Sequence, residues 1–485
     1  MAFLTEAANR GSISTGYEID NSLKVEPDNG ERFDTGDKFT NYSSVRKFTV
    51  SVWLKRTELT VQSLIWFNSN TATSVQLEFG SDDKLVFLLQ DNVGNGVESY
   101  AKTSALFRDT SAWYHVVLAV DTTDGTAANR TKIYVNGVNQ TLEQGNASYD
   151  TFPAQNYDCP LQTKHYLLGY DGGNNGFRGY AAEYYFLDGI TASPTDFGEF
   201  DEDSGIWKPK AYTGSFGNEG YYLDFEDASA LGKDVSSNNQ GNFTHYGGSA
   251  ADQATDTPTN NFCTFNPTFS WIYSGNDAAS TILNGGTTAD NIALTPGTAW
   301  KGAVGTMAVN KGKWYWEWEN NSGAFGHRTH GILTTEYAVK SVYASDDYSN
   351  QLVFRDGGTP RIFTIIDGTA SNPHLMTPYS DGLFVYGIAL NMDDEEATFY
   401  RNGTAMTISG TSTTAIDISA VDGVTKYVYP LYSCYGATEA HYNFGGFTAM
   451  GISSGASDAN GYGTFEYAPP SGYYALCTKN LAEYG

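Results

Sequence analysis

Short runs of alternating apolar and polar residues, separated by turn clusters, recur along the whole 485-residue chain. In Lys47–Lys55 (KFTVSVWLK), Phe48, Val50, Val52 and Leu54 share one face, because successive strand side chains point to opposite sides. Residues 113–120 (WYHVVLAV), 132–135 (KIYV) and 180–187 (YAAEYYFL) read as further strands, with turns at Asn136-Gly137 and in the Gly/Asn cluster 171–176. No segment keeps a 3.6-residue period, so the pattern predicts an all-β unit that closes near 221–226 (YYLDFE). Residues 229–262 turn to Ala, Ser, Asn, Gln, Thr and Asp and read as a linker. Strand chemistry resumes in 313–319 (KWYWEWE), with Trp314, Trp316 and Trp318 on one face and Tyr315, Glu317 and Glu319 on the other. Residues 383–391 (LFVYGIALN), 397–401 (ATFYR), 427–432 (YVYPLY) and 441–444 follow, with a charged turn at 392–396 and a hairpin signal at Asn402-Gly403. The expectation is an all-β chain of two antiparallel β-sandwich domains in tandem, 17–228 and 263–485, joined by 229–262 and preceded by a short segment, 1–16.

Composition agrees with this and removes several functions. Fifty-two Gly and 34 Tyr suit tight turns and pleated, half-buried surfaces. The 55 Asp and Glu against 28 Lys and Arg give a net charge of -27. Nucleic-acid binding needs cations that displace phosphate counterions, so no nucleic-acid partner is expected, and anionic membranes are disfavoured likewise. No run approaches the ~18 apolar residues of a membrane span, and residues 1–30 carry no cationic and then apolar signal-peptide pattern. Membrane insertion and signal-peptide secretion are therefore not expected. Cys159, Cys263, Cys434 and Cys477 are scattered and form no C-x-x-C, which points to buried reduced thiols rather than structural zinc. Cys263 and Cys477 bracket the second domain and are candidate neighbours.

FTVSVWLKR (48–56), WYHVV (113–117), KIYVNG (132–137) and GFRGYAAEYYFLDG (176–189) resemble a laminin-G/concanavalin A-like jelly roll. GKWYWEWE (312–319), YGIALNMDDEEATFYRNG (386–403) and YPLYSCYG (429–436) resemble a SPRY-like sandwich, with Gly312, Tyr315, Trp316, Glu317 and Glu319 matching its first strand. The order of the two, the opening MAFLTEAANRGSISTGYEIDNSLKV (1–25) and the closing YAPPSGYYALCTKNL (467–481) resemble structural proteins of tailed bacteriophages, of the tail-fibre kind. That resemblance implies a virion surface protein, assembled in the host cytoplasm, that binds host-surface glycans and/or other virion proteins, the latter through residues 1–25. A homo-oligomer is implied too. The alternatives it leaves are a purely structural capsid decoration or connector protein and a polysaccharide depolymerase.

Catalysis is not expected. A laminarinase-type site needs two carboxylates on one strand, ~5–5.5 Å apart for retention. Glu18 and Asp20 come nearest, but Glu26 lies too far along, and Glu317 with Glu319 reads as scaffold. His327 and His330 would point to opposite sides of a strand, so no metal site is expected. A serine triad is not expected, because the sequence is read as having no G-x-S-x-G nucleophile elbow, nor phosphate cradling for want of Lys-Ser/Thr after a glycine cluster. No cofactor is expected; Asp82-Asp83 and Asp393-Asp394 could hold calcium but also suit solvated turns. The tryptophan row reads as core. Loop aromatics beside Asn and Asp are the ligand candidates, since rings stack on sugar faces while amides and carboxylates bond hydroxyls. They are Tyr170, Asp171, Asn174, Asn175, Phe177 and Arg178 in the first domain, and Asp346, Asp347, Tyr348 and Arg355 in the second.

Overall fold

The computed structural model describes residues 16–485 except 28–29, 71–72, 92–95, 162–163, 172–174, 270–277, 291–300, 321–326, 335–349, 356–359, 367–368, 371–373, 379–382, 422–426 and 436–437. The expected docking segment, 1–16, lies outside the described residues but for Gly16. Two units separate, Ser14–Thr259 and Asn260–Gly485; the first is built of antiparallel sheets and the second of sheets antiparallel but for two short parallel pairings, Ala278–Ala279 with Lys301–Val304 and Tyr474–Ala475 with Lys313–Asn320. Among the described residues no helix is long and apolar enough to cross a membrane.

The first unit pairs two eight-stranded sheets. Its strands are β1 (Ser22–Val25), β2 (Arg32–Asp34), β3 (Lys47–Arg56), β4 (Gln62–Asn70), β5 (Thr73–Phe79), β6 (Leu85–Gln90), β7 (Ser99–Thr103), β8 (Tyr114–Asp121), β9 (Thr131–Val135), β10 (Val138–Asn139), β11 (Leu142–Gln144), β12 (His165–Leu167), β13 (Gly179–Asp188), β14 (Gly198–Phe200), β15 (Trp207–Pro209), β16 (Tyr221–Leu223), β17 (Thr244–Tyr246) and β18 (Gln253–Ala254). One sheet runs β10-β9-β8-β3-β13-β1-β18, with β16 also on β13, and the other runs β11-β7-β6-β5-β4-β12-β2-β17. Phe48, Val50, Val52 and Leu54 face the core as the alternation requires, meeting Ile65, Phe67, Leu77 and Phe87 of the other sheet.

The other face of β3 is buried as well, which alternation alone does not foretell. Thr49 donates its hydroxyl to the Ile190 carbonyl (2.8 Å), and Trp53 stacks on His115 (4.7 Å). The indole of Trp207 donates to His115 Nδ1 (3.0 Å), which leaves Nε2–H to donate to Ser51 Oγ (2.8 Å). Burial pushes this imidazole down to about 3, so it is neutral. Lys55, fully buried, meets Asp256 at 2.7 Å, and the indole of Trp113 donates to the second Asp256 oxygen at 3.0 Å.

Asp256 lies within the stretch expected to be a linker, so that reading is corrected. Thr244–Tyr246 pairs with β2, Gln253–Ala254 pairs with β1, and Thr259 Oγ1 donates to the Ile19 carbonyl (2.9 Å). Residues up to 259 belong to the first sandwich, and the boundary falls at 259/260. Much of 229–251 is polar because it is exposed, whereas Asp252, Asp256, Thr257 and Thr259 are polar and buried, Asp252 and Asp256 as partners of lysines of the sheet.

In the second unit one sheet holds Lys313–Asn320 between Val385–Asn391 and Glu439–Asn443, and the other holds Val428–Tyr435, His327–Thr334, Gln351–Arg355 and Arg361–Ile366 in that order. Trp314, Trp316 and Trp318 lie in the core between them, as expected. On the reverse face Tyr315 packs with Phe465, Ala475 and Cys477, and Glu317 is buried against the backbone of Glu466 and Tyr467. A short helix, Thr478–Tyr484, closes the chain. All four cysteines are buried free thiols, and the Cys263 amide donates to the Leu476 carbonyl beside Cys477 (2.9 Å).

Removing Asp256 leaves the Lys55 ammonium buried without its counterion, which costs about 3–5 kcal/mol. Asp256→Ala in the full chain is thus expected to lower the denaturant midpoint of the first unit while leaving the second unchanged. Equal midpoints in the variant and the parent chain would contradict the role given to the pair.

Candidate functional site

The outward face of the second sheet of the first unit gathers rings, amides and cations by strand register. Tyr166 of β12 stands opposite Trp66 of β4 on one side and Asp34 of β2 on the other. Trp66 in turn stands opposite Gln76, whose amide donates to Ser74 Oγ (2.7 Å) and Gln90 Oε1 (3.1 Å). Past β12 the chain turns sharply. Leu168 takes a left-handed conformation (φ 61), and Gly169 packs so closely that a Cβ there would lie 2.7 Å from the Glu31 carbonyl oxygen. This turn lays Tyr170 over Trp66, ring on ring, at 4.3 Å and 18°.

Asp171 follows and accepts from Arg32 Nη2 at 3.0 Å. The Arg32 guanidinium lies 4.4 Å from the Tyr246 ring centroid and 5.7 Å from that of Tyr166. Lys164 sits 5.6 Å from the Tyr166 ring and 3.5 Å from Asp34. Trp66, Tyr170, Asp171, Arg32 and Tyr166 thus close into a ring of contacts. Trp66 Nε1 and Arg32 Nε are covered from solvent yet have no acceptor among the described residues. Such N–H groups ordinarily find a partner when buried, so both are poised to donate.

The structure therefore brings together Tyr170 and Asp171 but redirects the other candidates. Phe177 is a core residue, drawn inward where Gly176 bridges to Ser63, and is corrected from a loop platform. Arg178 is engaged by Glu26 and, at 3.5 Å, by Glu58. Asn175 is exposed and its carbonyl accepts from the Ser63 amide (2.7 Å). Asn174, Asp346, Asp347 and Tyr348 lie outside the described residues. Arg355 ends a strand of the second unit, opposite Thr329 and Arg361. Trp66, Arg32, Tyr166 and Tyr246 were missed, and the outward position of Trp66 between the core residues Ile65 and Phe67 was the available signal.

Two of the carboxylates weighed for catalysis, Glu317 and Glu319, have other partners. Glu317 is fully buried and accepts four hydrogen bonds, from Tyr315 Oη (3.0 Å), Asn443 Nδ2 (3.2 Å) and the amides of Glu466 (2.8 Å) and Tyr467 (2.9 Å). Glu319 faces His441 (3.3 Å). Between Glu18 and Asp20, Ile19 donates its amide to Thr259 (3.2 Å) ahead of the first strand. Asp82 pairs with Lys102, Asp83 with Arg56 and Arg108, and Asp394 with Lys313, while Asp393 accepts from the Gly312 amide. Gly451-Ile452-Ser453-Ser454-Gly455 does spell the G-x-S-x-G pattern, a correction to the expectation that it is absent. It lies in a loop with no strand before it or helix after it, and Ser453 is bonded to Glu466. Glu31, His245 and Asp252 have ligand atoms within 4.8 Å of one another. Lys24 already sits on Asp252 (2.7 Å), and Glu31 takes both His245 (2.9 Å) and the Glu26 amide (2.6 Å).

Residues 28–188 match the family model of the concanavalin A-like lectin/glucanase superfamily. The chain is similar to mouse laminin α1 domains LG4-5 (10% identity, TM-score 0.28, 86% of this chain and 83% of that one). It is also similar to the SPRY domain of human HERC1 (13%, TM-score 0.25, 37% and 96%). A third likeness is to a Bacteroides ovatus protein described as carbohydrate-binding (17%, TM-score 0.31, 48% and 59%). Comparison with curated proteins gives no match.

Burial pushes the Glu317 carboxyl up to about 7, against four donors that favour its anion. The folded value exceeds the ordinary 4.5, so the folded unit binds this proton more tightly than the unfolded chain. The stability it contributes is present below 4.5 and is lost as the pH rises through about 7. Denaturant midpoints of the second unit are expected to fall across that window. Glu317→Gln is expected to flatten the profile and, by turning an amide donor toward other donors, to cost about 1–3 kcal/mol. A parent profile that rises with pH there would refute the assignment.

Proposed function

We propose that this chain is a non-catalytic binding protein of a tailed-bacteriophage particle, whose first sandwich contacts host-surface glycans. The observation that carries the binding role is the Trp66–Tyr170 stack flanked by Arg32, Asp171 and Gln76 on an outward sheet face. Rings of this kind present a flat apolar surface to a sugar face, while nearby amide, carboxylate and guanidinium groups bond its hydroxyls. The concanavalin A-like match over 28–188 places this face on a fold shared by lectins and glucanases. The virion setting rests on the order of the two sandwiches and on the resemblance of residues 1–25 and 467–481. The lack of catalysis is supported by Glu317, which is sealed from solvent and fully hydrogen-bonded.

A second reading is a decoration or connector protein, and exposed apolar side chains around Trp207 favour it. Phe200 (51% exposed) packs edge-on against Trp207, and Ile206 (38%) precedes it. Val138 (54%) follows Gly137, which lies against the same indole. Such a surface suits another virion protein or a second copy of the chain.

On a glycan array the full chain is expected to bind a restricted set of sugars, and Trp66→Ala or Tyr170→Ala to weaken binding by about tenfold or more, as loss of a stacking ring implies. Cryo-EM of particles would place the chain at the tail. A silent array together with density at capsid lattice positions would favour the decoration reading.

A further inference from the structure

We propose that the Arg32 site receives the carboxylate of an acidic glycan of the uronic-acid kind, with Asp171 occupying the guanidinium until that ligand arrives. This rests on the glycan-binding reading and names the sugar class. A guanidinium presents Nε–H and one Nη–H as a side-on fork that a carboxylate can take with both oxygens. In Arg32 that fork is half used: Nη2 donates to Asp171 Oδ1 at 3.0 Å, while Nε is covered from solvent and has no acceptor among the described residues, so a ligand reaches it only by displacing what lies over it. Nη1 points elsewhere, to the Gly30 carbonyl at 2.9 Å.

Arg32 is held independently of Asp171, by that carbonyl and by the rings of Tyr246 and Tyr166. Its side chain is 12% exposed, whereas that of Asp171 is 67% exposed. The receptor is therefore fixed and its internal partner is the loose one. An ion pair so open to water is held weakly, and a ligand that fills both N–H positions outcompetes a carboxylate that fills one.

Tyr170 precedes Asp171 in the chain and stacks on Trp66, whose indole N–H also has no acceptor among the described residues. The sugar ring that brings the carboxylate thus meets a ring face beside the guanidinium. Lys164 supplies a further cation on this face, shared with Asp34. The net charge of -27 opposes approach of a polyanion. At physiological salt that opposition is screened beyond about 8 Å, so the short-range fork decides selectivity.

The test uses the full chain and an array in which uronate-containing oligosaccharides are each paired with their carboxyl-reduced counterparts, beside neutral glycans. Acidic members are expected to bind about tenfold tighter than their reduced partners, the advantage of a charge-assisted, two-point contact. Arg32→Lys keeps the charge, loses the fork and should equalise each pair. Asp171→Asn removes the internal competitor and should widen the gap between the acidic and the reduced member of each pair. Equal binding within pairs by the parent chain, or binding to neutral glycans alone, overturns the acidic assignment and leaves the glycan reading standing. Binding to no member overturns both.

Discussion

An ammonium group taken wholly out of water requires a carboxylate beside it, and in the first sandwich Lys55 meets Asp256. The rest of that unit is arranged around this requirement. Lys55 lies on the outward face of the central strand β3, so its partner can reach it only if a later segment crosses that face. The segment that crosses is 251–259, tied at one end by pairing with β1 and at the other by Thr259 to Ile19. Covering the sheet in this way buries Trp113 and Tyr180 alongside the ion pair.

The second unit meets the same constraint with the opposite charge. Glu317 is the outward carboxylate of its central strand, and the covering segment satisfies it with backbone amides of Glu466 and Tyr467 rather than with a cation. In both units the tail of the domain lies over a sheet face that would otherwise be open. The face around Trp66 and Tyr170 in the first unit keeps two covered N–H groups, Trp66 Nε1 and Arg32 Nε, without acceptors among the described residues.

Period-two alternation was enough to find β3, β8, β9 and β13 and the inward face of β3, since Phe48, Val50, Val52 and Leu54 needed nothing beyond their own spacing, but it picked out no strand of the second sheet of the first unit. It failed on Thr49, Ser51 and Lys55, because a polar residue reads as solvated unless its partner is known. Asp256 was misread as linker for the same reason: its partner lies 201 residues earlier, beyond any local window. The site was half legible. Tyr170 and Asp171 are local to one Gly/Asn loop, whereas Arg32, Trp66, Tyr166 and Tyr246 come from four strands that only the register brings together. Phe177 shows the converse error, an aromatic in a loop sequence that a single bridge at Gly176 pulls into the core.

The separation of Lys55 from Asp256 also sets an order of events during synthesis. Strand β3 leaves the ribosome with its lysine uncompensated, and the counterion is translated 201 residues later. At about 5–20 residues per second that interval is roughly 10–40 s. Through it the half-made sandwich holds an outward face that cannot yet close. The unit thus reaches its native state only after its final segment emerges, which makes the last polar stretch the step that completes folding.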